Sequence, residues 1–376
     1  MAAAHSTGIT RIGPPGALPY SRAVTAGGFI YLSGRLAHDE HGVLTGGGGI
    51  GAETRWTLES LQQVLAAAGS SLRHVVSATV YIASASHFAA MNAAYREFWP
   101  DDPPSRTTIV TGLVVPEALV EISLIAVPSG AERIIIHPAG WMRSPNPYSY
   151  GVRCGDTLFL SGLVPRRGRD NTAVTGDIRA QTRAIVDNAA EVLDAAGMTL
   201  ADVVSARVYL TDAADFAGMN EVYGASLPGA PPARATVVCG LAGPDFRVEM
   251  TFTASARPRE ALGTPPAGVP LSASIRAGQH LYVSGMLGVT PETRRDVSAQ
   301  TRETLARLDR VLADSGASRN DVVDATVYLT EASAFDAMNA EYRAFFGEAL
   351  PARTTVVTGL VVPDGLVEIV ITALAR

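Results

Sequence analysis

The chain has 376 residues, a net charge of −6 and 30 cationic side chains, every one of them arginine. The absence of lysine removes Schiff-base amines and phosphate-loop lysines, and with them pyridoxal-phosphate enzymes, Schiff-base aldolases and P-loop nucleotidases. The acidic balance argues against nucleic acid or an anionic membrane as partner. Two cysteines, Cys154 and Cys239, and seven scattered histidines show neither a disulfide framework nor metal-ligand spacing, so no metal and no cofactor is expected. Hydrophobic content of 47% against 18% charged describes a globular chain. No apolar run reaches the roughly 18 residues of a membrane span. The opening MAAAHSTGITRIG lacks a basic-then-apolar signal, and a soluble, cytoplasmic protein is expected.

In chain order, the first strand signal is Phe29-Ile-Tyr-Leu-Ser-Gly34, an aromatic and β-branched run entered from a Gly turn and closed by Ser-Gly. A helix near Thr54–Ala68 follows, with Gly69 where a left-handed cap is wanted. Next come a strand at Val75–Ile82, a short helix carrying Phe88 to Tyr95, and strands at Arg106–Val110 and Leu119–Ile125, with Pro116 in the turn between them. The series then starts again. Leu158–Gly162 leads into a helix at Thr182–Ala196, whose Ile185, Ala189, Val192 and Ala196 form one apolar stripe ended by Gly197. Val203–Leu210, a helix from Phe216 and strands after Arg234 complete it. A third series runs through Leu281–Gly285, a helix at Thr301–Ser315, Gly316, Val322–Leu329, a helix from Phe335 and strands after Arg353.

The register of the three copies is tight. Asn92, Tyr95 and Arg106 recur as Asn220, Tyr223 and Arg234 and as Asn339, Tyr342 and Arg353, with steps of 234 − 106 = 128 and 353 − 234 = 119. That period is a small domain and not a solenoid unit of roughly 20–50 residues. Three domains are expected, at 1–130, 131–257 and 258–376. Each is an α+β unit with helices on one face of its sheet, and packing the three bare faces together would bury them. Arg133-Ile-Ile-Ile-His137 opens copy two with an edge strand, whereas the Pro- and Gly-rich segment 257–270 predicts a truncated start for copy three.

The combination resembles the Rid family, the reactive intermediate deaminases also called the YjgF or L-PSP family. The residues that carry the resemblance are the hydrophobic-Ser-Gly strand, the Gln-Thr helix start at Gln181 and Gln300, the Phe…Met-Asn…Tyr helix, the Pro-x-Arg strand start and the Val-Glu-Ile strand. It implies three tandem chorismate-mutase-like domains arranged as a pseudo-trimer within one monomeric chain, sheets inside and helices outside. It also implies interdomain clefts that hydrolyse reactive imines or enamines.

By that resemblance the substrate-binding arginines fall on Arg106, Arg234 and Arg353. A guanidinium suits a carboxylate because its planar fork makes two charge-assisted bonds and stays ionised when desolvated; pairing to a nearby Asp or Glu is the plainer alternative. The family's N-terminal tyrosine maps onto Tyr20 and Tyr148, with Leu271 in its place in copy three. Deaminating members carry Glu-Ile-Glu in the last strand, the second Glu taken to position water. Here the triplets are Glu121-Ile-Ser123, Glu249-Met-Thr251 and Glu368-Ile-Val370, so Ser123 and Thr251 stand as candidate water holders. A hydroxyl holds water but is no base near neutral pH. The first Glu of each triplet is explained equally well by a structural ion pair. Where such members often carry Cys, Thr108, Thr236 and Thr355 occur. These, with Ser33, Ser161, Ser284, Asn92, Asn220 and Asn339, complete the candidate binding set, although the Asn reading competes with a helix-to-strand tie. The expected partner is a small substrate bearing a carboxylate. Hydrolytic deamination is the first reading. A non-hydrolytic cyclisation, tautomerisation or condensation in secondary metabolism is the second, because the second Glu is replaced in every copy. A binding module is the third, and ribonuclease activity is disfavoured by the acidic, lysine-free composition.

Overall fold

The computed structural model describes residues 8–13, 18–39, 43–45 and 47–375. The three copies fold into three seven-stranded mixed sheets, each carrying a long and a short helix. In copy one the sheet order is Thr10–Ile12, Ala23–Ala26, Phe29–Leu36, Val120–Ala126, Val75–Ile82, Ser105–Val110 and finally Gly240–Leu241, which belongs to copy two. The sheet of copy two ends on Gly359–Leu360 of copy three, and that of copy three on Gly112–Leu113 of copy one. Each copy therefore lends a two-residue strand to its predecessor, and the exchange closes in a cycle.

The helices form where the apolar stripes predict, but Ile50–Ala67, Ile178–Ala195 and Val297–Asp314 all start about one turn earlier than the Thr positions suggested. The extra turn carries one apolar residue, Ile50, Ile178 or Val297, among small and polar ones, too few to show a period. In copies two and three it is capped by Asp177 and Asp296, which accept the N–H groups of Ala180 and Ala299 at 2.9 and 3.0 Å. Gly69, Gly197 and Gly316 have φ of 74°, 71° and 73°, the left-handed ends that glycine permits. Each long helix buries its stripe against its own sheet, as Leu58, Leu61 and Leu65 do in copy one.

The opposite sheet faces meet. One shared cluster joins Tyr81, Tyr209 and Tyr328 with Ile109, Val237 and Val356, and another joins Phe29, Tyr31, Phe159, Val323 and Leu374. A smaller cluster joins Val204 and Ala233 of copy two to Ile275, Ala277 and Tyr282 of copy three. Between the Tyr81 and Phe29 clusters lies a cavity of about 120 Å³ lined by Ser77, Thr79 and Ser123 of copy one, Ser205, Arg207 and Thr251 of copy two, and Asp324 and Thr326 of copy three. The buried face is thus polar in its middle.

Copy three is not truncated. Arg259–Leu262 pairs antiparallel with Ser274–Ala277 as a full edge strand. Its sequence Arg-Glu-Ala-Leu lacks the β-branched run that signalled the strand in copy two, which is how a short polar edge strand hides from a pattern search. Its arginine has equivalents. Arg11 donates to the carbonyls of Leu350 and Asn320 in copy three, Arg133 to those of Arg73 and Asp102 in copy one, and Arg259 to those of Val203 and Ala230 in copy two. Every edge strand is braced in this way to the preceding copy.

Candidate active site

At each junction the arginine strand of one copy lies beside the Ser-Gly strand of the next. The Arg106 N–H donates to Ser161 Oγ at 2.8 Å, and Ser161 Oγ donates to the Ser149 carbonyl at 2.6 Å. Arg234 with Ser284 and Ser272, and Arg353 with Ser33 and Ser21, repeat both bonds at the same distances. The three serines expected to bind substrate are therefore backbone clamps between copies. They place the arginines with little freedom.

Each guanidinium is buried, the residues being 4%, 1% and 3% exposed. Each lies 4.8 Å over the ring of the tyrosine from its own short helix: Tyr95, Tyr223 or Tyr342. Across the junction, Tyr148 lies 6.0 Å from Arg106, and Tyr20 lies 5.4 Å from Arg353. The plainer alternative, an arginine paired to a neighbouring carboxylate, is not what the geometry gives. Nε and Nη1 of both Arg106 and Arg234 have no hydrogen-bond partner among the described residues. Arg353 directs Nη1 at Met338 Sδ, 3.9 Å away. The same clefts hold further buried polar atoms without partners: Thr108, Thr236 and Thr355 Oγ1, and the hydroxyls of Tyr95, Tyr223 and Tyr342. Buried donors and acceptors are nearly always satisfied in folded proteins. The threonine and tyrosine hydroxyls are unsatisfied at all three junctions and the guanidinium nitrogens at two of them, among the described residues.

The first Glu of each triplet belongs to these clefts. Glu121, Glu249 and Glu368 each follow their strand's preceding arginine by 15 positions within one copy (121 − 106, 249 − 234, 368 − 353). Each nevertheless serves the arginine of the neighbouring copy. Glu121 Oε1 lies against Gly34, where a Cβ would come within 2.0 Å, and the Thr355 N–H bonds to this carboxyl across the junction with copy three. Glu249 lies in the same way against Gly162 and takes the Thr108 N–H, and Glu368 lies against Gly285. A side chain on any of these glycines would displace the carboxyl. Burial raises all three carboxyls to about 8, opposed by Arg353, Arg106 and, for Glu368, Arg207 and Arg234. Burial therefore favours the protonated form of each. A protonated carboxyl leaves the adjacent guanidinium free for an anion, and it is an acid of the right strength to exchange protons there.

Ser123 and Thr251 lie elsewhere. They line the central cavity, and Thr251 Oγ1 is 2.6 Å from Thr107 Oγ1. Among the described residues no bond from these asparagines to a strand of their own copy is seen. Asn92 Nδ2 donates to Asn146 Oδ1 of copy two at 3.2 Å, while Oδ1 of Asn220 and both polar atoms of Asn339 are buried without partners. Sequence reasoning passed over the tyrosines of the short helices and the glutamates as site residues. Threefold recurrence at a constant offset from arginine was the signal that pointed to them.

A family model described as endoribonuclease L-PSP matches residues 11–128, 142–256 and 263–375. A RutC family protein of Sulfurisphaera tokodaii is 40% identical over 109 residues, 29% of this chain and 87% of that protein. A RutC family protein of Saccharolobus solfataricus is 43% identical over 108 residues, 29% of this chain and 86% of its own length. Each relative matches a stretch the size of one copy. A solved chorismatase covers 80% of this chain and 93% of its own, with a TM-score of 0.54 at 16% identity, a likeness of fold.

Proposed function

Since the chain belongs through all three of its copies to the endoribonuclease L-PSP family, also known as the Rid or YjgF family, we propose that its clefts hydrolyse small imines or enamines bearing a carboxylate to the carbonyl compound and ammonia. The observation that carries this reading is the pairing, at each junction, of a buried arginine with a buried carboxyl raised to about 8 from the adjoining copy. The arginine fork takes the substrate carboxylate. The protonated glutamate gives its proton to the imine nitrogen, or to the terminal carbon of an enamine, and either transfer leaves the same iminium and an ionised glutamate. The resulting carboxylate takes a proton from water as the water oxygen adds to the imine carbon. Return of that proton to nitrogen lets the C–N bond break and ammonia leave, and the hydroxyl proton passes to the glutamate as the carbonyl forms, which restores the protonated carboxyl. Tyr20 and Tyr148 supply a further hydroxyl in two of the clefts.

The non-hydrolytic alternative drew its weight from loss of the second Glu. Of those positions Ser123 and Thr251 line the central cavity and Val370 packs in the apolar cluster of Tyr81, Tyr209 and Tyr328; each cleft keeps a carboxyl without them, which favours the hydrolytic reading. The ribonuclease activity in the family's description would need a basic face, and this chain carries a net charge of −6. The test is to generate amino-acid imines with an amino-acid oxidase and to follow semicarbazide-trapped imine with and without the protein. Faster loss of imine is expected, reduced at least about tenfold in the affected cleft by Arg106→Ala or Glu249→Gln. No acceleration with any amino-acid imine would remove hydrolysis and return the search to cyclisation or condensation. Ligand binding without turnover would mark a binding module.

A further inference from the structure

The three clefts differ at the rim. Each is bordered on one side by a Pro-x-Ser triplet and on the other by the residue following the short-helix tyrosine. Between copies one and two these are Tyr148 and Arg96, and between copies three and one they are Tyr20 and Arg343. Between copies two and three they are Leu271 and Gly224. Arg96 is at the cleft it borders: its Nη2 donates to the Pro145 carbonyl of copy two at 2.5 Å, and its charge acts on Arg106, as that of Arg343 acts on Arg353. In the third cleft a Cβ on Gly224 would lie 3.1 Å from Pro270, so the proline of copy three closes over the position where the others carry a cation.

One phenol and one arginine are thus absent from the same rim, each loss contributed by a different copy. The interior behind that rim is retained. The Arg234 N–H is held by Ser284, its Nε and Nη1 are unpartnered, and Thr236 Oγ1 and Glu368 stand beside it. A tyrosine hydroxyl covered by an apolar substituent would lose its hydrogen bond with water and gain none, whereas leucine and proline offer matching apolar surface. We propose that the cleft between copies two and three takes carboxylate-bearing imines with larger apolar side chains, while the other two take small or polar ones, and that Leu271 and Gly224 set the division. This rests on the carboxylate-binding reading above.

The test uses stable oxo acids as probes, measured by calorimetry: pyruvate for the small class and 4-methyl-2-oxopentanoate for the large apolar class. In a chain carrying Arg106→Ala and Arg353→Ala, the remaining cleft is expected to bind the branched acid at least about tenfold more tightly than pyruvate, the scale a few methylenes give in an apolar pocket. Adding Leu271→Tyr and Gly224→Arg is expected to erase that preference. Arg234→Ala in the otherwise native chain serves if the double variant does not fold, and is expected to lose branched-acid binding while pyruvate binding persists. Equal affinity in the isolated cleft, a preference untouched by Leu271→Tyr, or branched-acid binding that survives Arg234→Ala would overturn the proposal. Selective binding without imine turnover would remove the hydrolase reading alone, and turnover without selectivity would remove this inference alone.

Discussion

Replacing Glu249 by glutamine removes one titrating carboxyl from a cleft while keeping its shape and its bond from the Thr108 N–H. A carboxyl whose folded value lies above its unfolded one holds a proton that the unfolded chain has released. The stability it contributes is present at low pH and is lost as pH rises from about 4.5 to about 8. At about 1.4 kcal/mol per decade of proton affinity, the interval from pH 5.5 to 8 costs the native chain at most about 3 kcal/mol at this residue. An unfolding entropy of about 2.1 cal/mol/K per residue over 376 residues is about 0.8 kcal/mol/K, so the effect is at most about 4 °C. The assay is a pair of melting curves at pH 5.5 and 8.5 for native chain and Glu249→Gln. Between pH 5.5 and pH 8.5 the gap between the two should widen by up to about 4 °C in favour of the variant. A gap independent of pH, or one that favours the native chain at pH 8.5, would mean that Glu249 is ionised beside Arg106 at neutral pH, and the acid role would fall.

The same carboxyls predict that KM for an anionic substrate rises above pH 8, where an ionised glutamate competes for the arginine; a flat KM profile from pH 6.5 to 9 would contradict this. Ser161→Ala leaves the Arg106 N–H and the Ser149 carbonyl unpaired in the interior, and should lower stability by about 2–3 kcal/mol in denaturant titrations. Gly34→Ala would bring a Cβ within 2.0 Å of Glu121 Oε1, and should abolish turnover in the cleft containing Arg353 while leaving the cleft containing Arg106 active. Imine assays of Gly34→Ala in an Arg106→Ala/Arg234→Ala background, where only the Arg353 cleft works, and in an Arg234→Ala/Arg353→Ala background, where only the Arg106 cleft works, would read this out. Arg11→Ala removes the brace from copy one to copy three and should speed amide exchange at Thr10–Ile12 before any global loss; unchanged exchange there would show the brace to be idle.

The threefold repeat, the helices and the long strands were legible because apolar periodicity reports burial, and burial decides those elements. The arginines, threonines and Tyr20 and Tyr148 were also found where the clefts lie. What escaped detection had no periodic signature. Gly112–Leu113, Gly240–Leu241 and Gly359–Leu360 are two residues long, too short to alternate, yet they complete three sheets. Arg259–Leu262 is charged where strands usually are not. Glu121 and Ser123 sit two apart on one strand and share a face, so sequence alone does not say which reaches a cleft and which the central cavity. The β-bulge that turns the strand at Ser33-Gly34 makes room for Glu121, and that bulge is a tertiary feature.

The cyclic lending of two-residue strands has a consequence for dilution. In an assembly of separate subunits, each borrowed strand arrives from solution and is lost when concentration falls. Here all three lenders sit on one polypeptide, which holds them at an effective concentration in the millimolar range whatever the bulk value. Melting temperature should therefore stay constant as the protein is diluted a thousandfold, and the clefts should remain assembled at traces of enzyme where an equivalent homotrimer would come apart.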